Sequence, residues 1–257
     1  MRFIVFLFIL ILPTFGWTQD FAEFFKEGTQ HYTAKEYDKA RDAFAKAIEK
    51  DPNNATALTN LALAQFQLGN KALAVGLLRK VLTIDPELAT AQAGLKFALK
   101  QIDLKDLPHQ IETYESVHAK LLAPIPVWVY LILTALFLFI TGWTFLTYMG
   151  RRRQALSAEK APPSPPLMGF VFALALICSL GLLSLKLYDS TIVRATIIED
   201  RVSMQTAPGE SQVALLDLSG GMEVIVKSTE KEWSQITYPG SLTGWIKSSS
   251  LIVTSGQ

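Results

Sequence analysis

Two long apolar runs without charged side chains constrain this chain more than any other feature of its sequence. The first run covers Val127–Met149, and the second covers Leu167–Leu185 and ends at Lys186. A helix needs about 20 apolar residues to cross the hydrocarbon core of a bilayer, which is about 30 Å thick. The runs therefore predict transmembrane helices at residues 127–149 and 167–186. The alternative is a pair of buried core helices, which the length of the runs and the absence of charge disfavour.

The segment between these runs, residues 150–166, predicts how the two helices are oriented. It begins with three consecutive arginines and ends in a proline-rich stretch, and its four cations against one carboxylate give a net charge of +3. Short basic loops between membrane helices stay in the cytoplasm. We therefore expect a helical hairpin with a cytoplasmic loop and both flanking segments outside. Because the two runs contain no Asp, Glu, His, Lys or Arg, a transport path is not indicated.

The N-terminal residues, 1–18, have the pattern of a secretory signal peptide. A basic residue, Arg2, precedes the apolar stretch Phe3–Leu12, and small or polar residues follow up to Thr18. About ten apolar residues are too few to cross a bilayer, and a basic start with a short apolar stretch is typical of secretion. The alternative is an uncleaved N-terminal anchor. We expect a two-pass protein of the bacterial inner (cytoplasmic) membrane, with both flanking domains on the periplasmic side.

The composition excludes several classes of function. Lys and Arg total 24 against 23 for Asp and Glu, so the formal net charge is +1 and a nucleic-acid partner is not indicated. The single cysteine, Cys178, lies in the second apolar run, and the three histidines are far apart in the sequence. Neither a metal site nor a nucleophile–base pair follows from these residues. We expect a protein without catalytic activity, metal or cofactor.

A 34-residue period organises the segment before the membrane, residues 19–122. The dipeptide Asp51-Pro52 recurs as Asp85-Pro86, and small residues recur where two helices would cross closely. This pattern resembles the tetratricopeptide (TPR) repeat, although Glu27 and His31 depart from it. The resemblance implies a helical solenoid, with repeats at residues 21–54 and 55–88 and a degenerate third repeat or capping helices at 89–122.

The resemblance also implies a binding site, because TPR proteins generally bind peptides or protein segments on the concave face formed by the first helix of each repeat. Aromatic side chains among amides and a lysine suit such a groove. The alternative is that the aromatic residues only pack between repeats. The candidate groove residues are Phe25, Thr29, Tyr32, Asn60, Leu63, Phe66, Gln67, Phe97 and Lys100.

The segment after the membrane, residues 190–257, is rich in Val, Ile, Thr and aromatic residues, with turns at Pro-Gly and Gly-Gly pairs. Short strands with tight turns predict a small barrel. A mid-domain tryptophan followed by Gly244-Trp245-Ile246 resembles bacterial SH3 domains. The candidate ligand surface comprises Trp233, Tyr238 and Trp245, and the alternative is that the two tryptophans belong to the core.

The predicted fold is thus a multidomain membrane protein: an all-α TPR solenoid, a two-helix transmembrane hairpin and a small all-β SH3-like barrel. This domain order resembles BatE-type proteins of bacterial Bat (Bacteroides aerotolerance) operons. The resemblance implies a non-enzymatic scaffold that joins membrane proteins with von Willebrand A domains in a complex for oxygen or envelope stress tolerance. The alternative function is a sensor that binds peptidoglycan peptides through the SH3-like domain.

Overall fold

The structure is a computed structural model that describes residues 15–102, 117–238 and 242–255. Most of the predicted signal peptide lies outside these residues, and its last four residues belong to the first helix. The chain forms two compact units. The first unit takes residues 1–107, 195–236 and 243–254. The second takes residues 108–194 with the short pieces 237–242 and 255–257.

Among the described residues, the first unit begins with five helices, and their order confirms the TPR-type repeats. The second helix of each repeat ends directly before an Asp-Pro pair, where proline cannot continue a helix. Gly69 at the turn of the second repeat has a φ of 91°, a left-handed conformation that is cheap only for glycine. The helices are α1 (Phe15–Thr33), α2 (Tyr37–Lys50), α3 (Ala55–Gln67), α4 (Lys71–Ile84) and α5 (Ala89–Lys100).

Small residues allow the two helices of the first repeat to cross closely. A Cβ atom on Gly28 of α1 would lie 2.6 Å from the Phe44 ring of α2, so only glycine fits there. Phe44 forms a core cluster with Ala40 and Ala64, which joins the first repeat to α3. A larger cluster fills the second repeat and α5, and its buried members are Leu58, Ala62, Val75, Leu77, Leu78, Val81, Ala91 and Ala98.

Seven strands follow the hairpin and form one antiparallel sheet. Among the described residues the hydrogen-bonded order is β3-β2-β6-β5-β4-β1-β7, so the sheet is open, whereas the sequence predicted a small SH3-like barrel. One edge, β7, lies against a helix, because the Thr254 carbonyl accepts a hydrogen bond from Thr83 of α4. The strands are β1 (Val193–Ile197), β2 (Arg201–Gln205), β3 (Ala214–Ser219), β4 (Glu223–Glu230), β5 (Trp233–Tyr238), β6 (Leu242–Lys247) and β7 (Leu251–Ser255).

The second unit contains the two apolar helices, α6 (Val127–Ser157) and α7 (Leu167–Thr191). Both are long and apolar enough to cross a membrane. Helix α6 continues through the three arginines that the sequence placed in the loop, because Arg, Gln, Ala and Leu are good helix formers and no proline follows before Pro162. Helix α7 likewise continues beyond Lys186.

The two long helices pack against each other along one face and expose the other. Tyr130 and Thr134 of α6 and Ser179 of α7 are buried. On the outer faces Phe139 is 68% exposed and Leu167 is 82% exposed. A soluble core helix would bury these side chains, whereas a lipid-facing helix would not. Among the described residues, the outer faces of α6 and α7 are therefore apolar and exposed.

In the second unit, a polar cluster connects the segment before α6 with the C-terminal end of α7. His118 Nδ1 lies 2.8 Å from Asp189 Oδ1 in α7, and the Arg194 guanidinium donates to the same oxygen at 3.0 Å. The Tyr130 hydroxyl donates to the Leu121 carbonyl at 2.8 Å. His118 is thus half-buried and held by a hydrogen bond within a polar cluster.

Candidate peptide-binding groove

The first helices of the repeats lie side by side, because α3 contacts both α1 and α5. This arrangement places the nine candidate groove residues on three adjacent helices. Phe25, Thr29 and Tyr32 come from α1, four residues come from α3, and Phe97 and Lys100 come from α5. The 34-residue period produces this alignment, since equivalent positions of successive repeats occupy the same face.

Two of the aromatic candidates pack mainly within the first repeat. Phe25 and Tyr32 are half-buried and both contact the cluster around Phe44. The Phe25 and Phe44 ring centroids are 5.7 Å apart, and Tyr32 meets Tyr37 edge to face at 5.4 Å. These rings therefore support the first repeat and offer only part of their surface to a ligand.

The other two aromatic candidates form a pair between α3 and α5. The ring centroids of Phe66 and Phe97 are 5.4 Å apart with an interplanar angle of 57°. Phe66 is half-buried against the core of the second repeat, while Phe97 is 56% exposed. An exposed aromatic ring supported by a buried one is a suitable anchor point for an apolar side chain. Phe97 is thus the most accessible aromatic group of the candidate groove.

The polar candidates differ in how freely their side chains can bind a ligand. The Thr29 hydroxyl donates to the Phe25 carbonyl at 2.9 Å, and the Asn60 amide nitrogen donates to the Thr56 carbonyl at 3.1 Å. Both donors are therefore used within their own helices. Gln67 and Lys100 are exposed, and Leu63 is half-buried.

A shallow depression extends the candidate groove along α1. It has a volume of about 600 Å³ and is lined by Lys26, Thr29, Gln30, Thr33 and Ala34. Sequence reasoning found only Thr29 among these residues. Their spacing of three or four residues along one helix face was the available signal.

The two departures from the repeat pattern in α1 have a structural explanation. His31 Nδ1 lies 2.6 Å from Glu36 Oε2, and His31 Nε2 lies 3.7 Å from Glu27 Oε1. The hydrogen bond with His31, followed by that from Lys39, lowers the pKa of the Glu36 carboxyl. These side chains therefore stabilise the turn between α1 and α2 instead of filling the helix interface.

The three SH3-type candidates do not form one exposed platform. Trp245 is 9% exposed, so it belongs to the buried part of the sheet. Trp233 is half-buried, with the Lys247 ammonium 6.0 Å from its ring centroid. Tyr238 is also half-buried, and burial raises the pKa of its hydroxyl. Within the described residues no group of three or more His, Cys, Asp or Glu side chains could hold a metal ion.

Comparison with known proteins supports the repeat assignment. Residues 25–89 match the tetratricopeptide repeat family. Small glutamine-rich tetratricopeptide repeat-containing protein 2 of Mycosarcoma maydis is 36% identical over 73 residues, which are 28% of this chain and 21% of that protein. The first TPR of Spaghetti (RPAP3), solved with the HSP90 peptide SRMEEVD, is 26% identical with a TM-score of 0.31. That match covers 32% of this chain and 68% of the other.

The family match at residues 25–89 defines the class of the helical part. It is a TPR-type repeat domain, and domains of this type are protein-interaction scaffolds. The chain joins this domain to two long apolar helices and an antiparallel sheet. The matched segment spans about a fifth of the curated relative, so the likeness is to its repeats and not to the whole protein.

Proposed function

We propose that this protein is a membrane-anchored, non-catalytic adaptor whose repeat groove binds an extended segment of another protein. The observation that carries the proposal is the exposed Phe97 ring, supported by Phe66, on the first-helix face of a TPR-type domain. The partner segment supplies an apolar side chain that packs on Phe97. The exposed Gln67 and Lys100 offer hydrogen bonds to its backbone or polar groups.

The membrane anchor in this proposal is the hairpin of α6 and α7, with the basic loop in the cytoplasm. The first compact unit supports a hairpin, because it combines residues from before and after the two helices. A single folded unit lies on one side of a membrane, which requires an even number of crossings between its parts. The basic loop then favours the periplasmic side for that unit, at the bacterial inner membrane.

The topology is tested by labelling single cysteines in whole cells in a Cys178→Ser background. Cysteines at Thr33 and Ser228 should react with an impermeant maleimide, and a cysteine at Ser164 should react only after the cells are opened. Reaction at Ser164 with protection of the other two positions would reverse the orientation.

The domain order supports a finer proposal, in which the adaptor belongs to a Bat-type complex for oxygen or envelope stress tolerance. Its partners would then be membrane proteins with von Willebrand A domains. Cross-linking and co-purification of the full chain from native membranes tests this partner class. Recovery of such proteins would support it, and recovery of an unrelated set of membrane proteins would contradict it.

The groove itself is tested with Phe97→Ala. Removal of an aromatic anchor should weaken partner binding by about 2 kcal/mol. Ile84→Ala is the matched control, because Ile84 is also an exposed apolar residue but lies at the end of α4. If both variants retained the partner while the full chain sedimented with cell-wall sacculi, the peptidoglycan sensor would replace the adaptor.

A further inference from the structure

Helix α4 is buried on more of its circumference than a repeat helix requires. Its buried residues include Ala74, Leu78 and Val81, which belong to the repeat interior. Ala72 and Gly76 are buried as well, and together with Arg79 and Thr83 they recur every three or four residues along another face. A helix that is buried on two faces has a second covering element. In the first compact unit that element is the β sheet.

Backbone proximity between helix and sheet requires small residues on both sides. A Cβ atom on Gly76 would overlap Cγ2 of Ile252 in β7 and would lie 3.4 Å from Cβ of Thr196 in β1. A Cβ atom on Gly220, after β3, would lie 2.7 Å from Cβ of Ala72. Larger side chains at these positions would separate the two surfaces, so the contact has the close complementarity of a protein interior.

Polar groups at the same contact are paired across it. Arg79 of α4 donates to the Thr196 hydroxyl at 2.9 Å and to the Gly221 carbonyl at 2.8 Å, and its Nε lies 3.7 Å from the Glu223 carboxylate. The Arg79 side chain is only 18% exposed. Burial lowers the pKa of its guanidinium, which Glu223 partly offsets, and arginine remains charged in proteins. The buried charge therefore depends on acceptors that the sheet supplies.

We propose that the β sheet is a cis-acting binding module whose partner is the outer face of α4 in the same chain. In this role the sheet holds the second repeat and joins the segments that precede and follow the membrane hairpin. It leaves the candidate groove to external partners. The inference does not depend on what the groove binds.

The first repeat shows why the sheet binds α4 specifically. The positions 34 residues before Ala72, Gly76 and Thr83 carry carboxylates, namely Asp38, Asp42 and Glu49. Burial of three carboxylates under a sheet would be strongly unfavourable. The outer face of α2 therefore cannot replace that of α4.

A disulfide across the contact tests the proposal in the full-length protein in its native membrane. Gly76→Cys with Ile252→Cys, in a Cys178→Ser background, places two thiols where the side chains approach within bonding range. After mild oxidation we expect both thiols to become unreactive to maleimide and the monomer to migrate faster on a non-reducing gel. Asp42→Cys with Ile252→Cys is the matched control and should keep both thiols reactive.

The remaining outcomes each count against the proposal. Reactive thiols in the Gly76 and Ile252 pair, at a normal protein level in the membrane, would show that the contact does not form. Disulfide dimers between co-expressed copies that carry one cysteine each would show that the sheet binds another copy. Equal cross-linking of the control pair would show that the sheet is not specific for α4.

A second measurement avoids the risk that a cysteine at position 76 prevents folding. In the unmodified chain, hydrogen exchange should be slower in α4 than in α2. Arg79→Ala should accelerate exchange in β1 as well as in α4, while the exchange of α2 remains unchanged. If exchange accelerated in α4 alone, Arg79 would act within the repeat and the cis contact would be rejected.

Discussion

Helices α2 and α4 occupy equivalent positions in successive repeats, and yet their surroundings differ. Helix α2 buries Ala40, Ala43, Phe44 and Ala47 on one side and carries charged residues on the other. Helix α4 buries seven of its residues: Ala72, Ala74, Val75, Gly76, Leu77, Leu78 and Val81. The 34-residue period accounts for the inner faces of both helices. The outer faces diverge because one meets solvent and the other meets the sheet.

The difference shows that the repeat period and the residue types on the outer face of a helix carry separate information. The period identifies the inner face, and the outer residue types indicate what that face meets. Ala40 and Ala74 are equivalent, fully buried and set by the repeat. Asp42 and Gly76 are also equivalent, but a carboxylate in one repeat and a glycine in the other reflect different environments. An apolar outer face in one repeat alone is thus a signal for an additional covering domain.

The largest expected effect comes from enlarging Gly76. Gly76→Leu places a branched side chain where even a Cβ atom would collide with Ile252. Overpacking of this kind costs about 1–3 kcal/mol and sometimes more, so we expect the free energy of unfolding to fall by about 3 kcal/mol, the upper end of that range. The measurement is thermal or denaturant unfolding of the full chain in detergent. Asp42→Leu, on the exposed side of α2, should change the free energy of unfolding little. Equal effects of the two substitutions would remove the distinction between the two helices.

The second prediction addresses the inner faces, where the two helices should behave alike. Ala40→Leu and Ala74→Leu each add a large side chain at a fully buried helix crossing. We expect each to lower the free energy of unfolding by about 1–3 kcal/mol. A harmless Ala40→Leu would mean that the register of the first repeat is incorrect.

The third prediction compares two arginines. Arg79→Ala leaves the Gly221 carbonyl and the Thr196 hydroxyl without their donor, which should cost about 1–3 kcal/mol. Arg41 of α2 pairs with Asp38 and Asp42 at the surface, and such exposed pairs contribute about 0–1 kcal/mol. Unfolding of Arg79→Ala and Arg41→Ala in the same detergent provides the comparison. A larger loss for Arg41→Ala would contradict the buried role of Arg79.

The smallest expected effect is a pH dependence confined to the first repeat. Hydrogen bonds with His31 and Lys39 lower the pKa of Glu36 below its ordinary value of 4.5. A lowered carboxyl pKa stabilises the folded state above pH 4.5, and this contribution disappears as the pH falls through the folded pKa. NMR titration of the Glu36 carboxyl should show the lowered pKa. Glu36→Gln should flatten the acid limb of the stability profile, and an unchanged limb would refute the assignment.

Much of the architecture could be predicted from local patterns. The spacing of the two Asp-Pro pairs predicted the repeats, and the two uncharged apolar runs predicted α6 and α7. The Val, Ile, Thr and aromatic content of residues 190–257 predicted short strands. These features can be predicted because each depends on residues close together in the sequence. For the same reason the aromatic residues could be assigned to α1, α3 and α5.

The solvent exposure of the candidate site residues could not be predicted from local sequence patterns. Phe25, Phe66 and Phe97 are the same residue type on first helices, but only Phe97 is largely exposed. Trp245 fits a ligand surface by sequence, and the structure buries it in the sheet. Exposure depends on the neighbours that each ring meets, and those neighbours come from other helices or strands.

The sequence by itself determined the repeats, the two long apolar helices and the β character of the C-terminal segment. Only the tertiary structure decided that the sheet is open and that α4 is its partner. Residues 79 and 196 are separated in the chain by the two long apolar helices, and no periodicity connects them. A period records which face of an element is buried, because that follows from local geometry. Which distant element buries it depends on the complementarity of two surfaces that form only when the chain has folded.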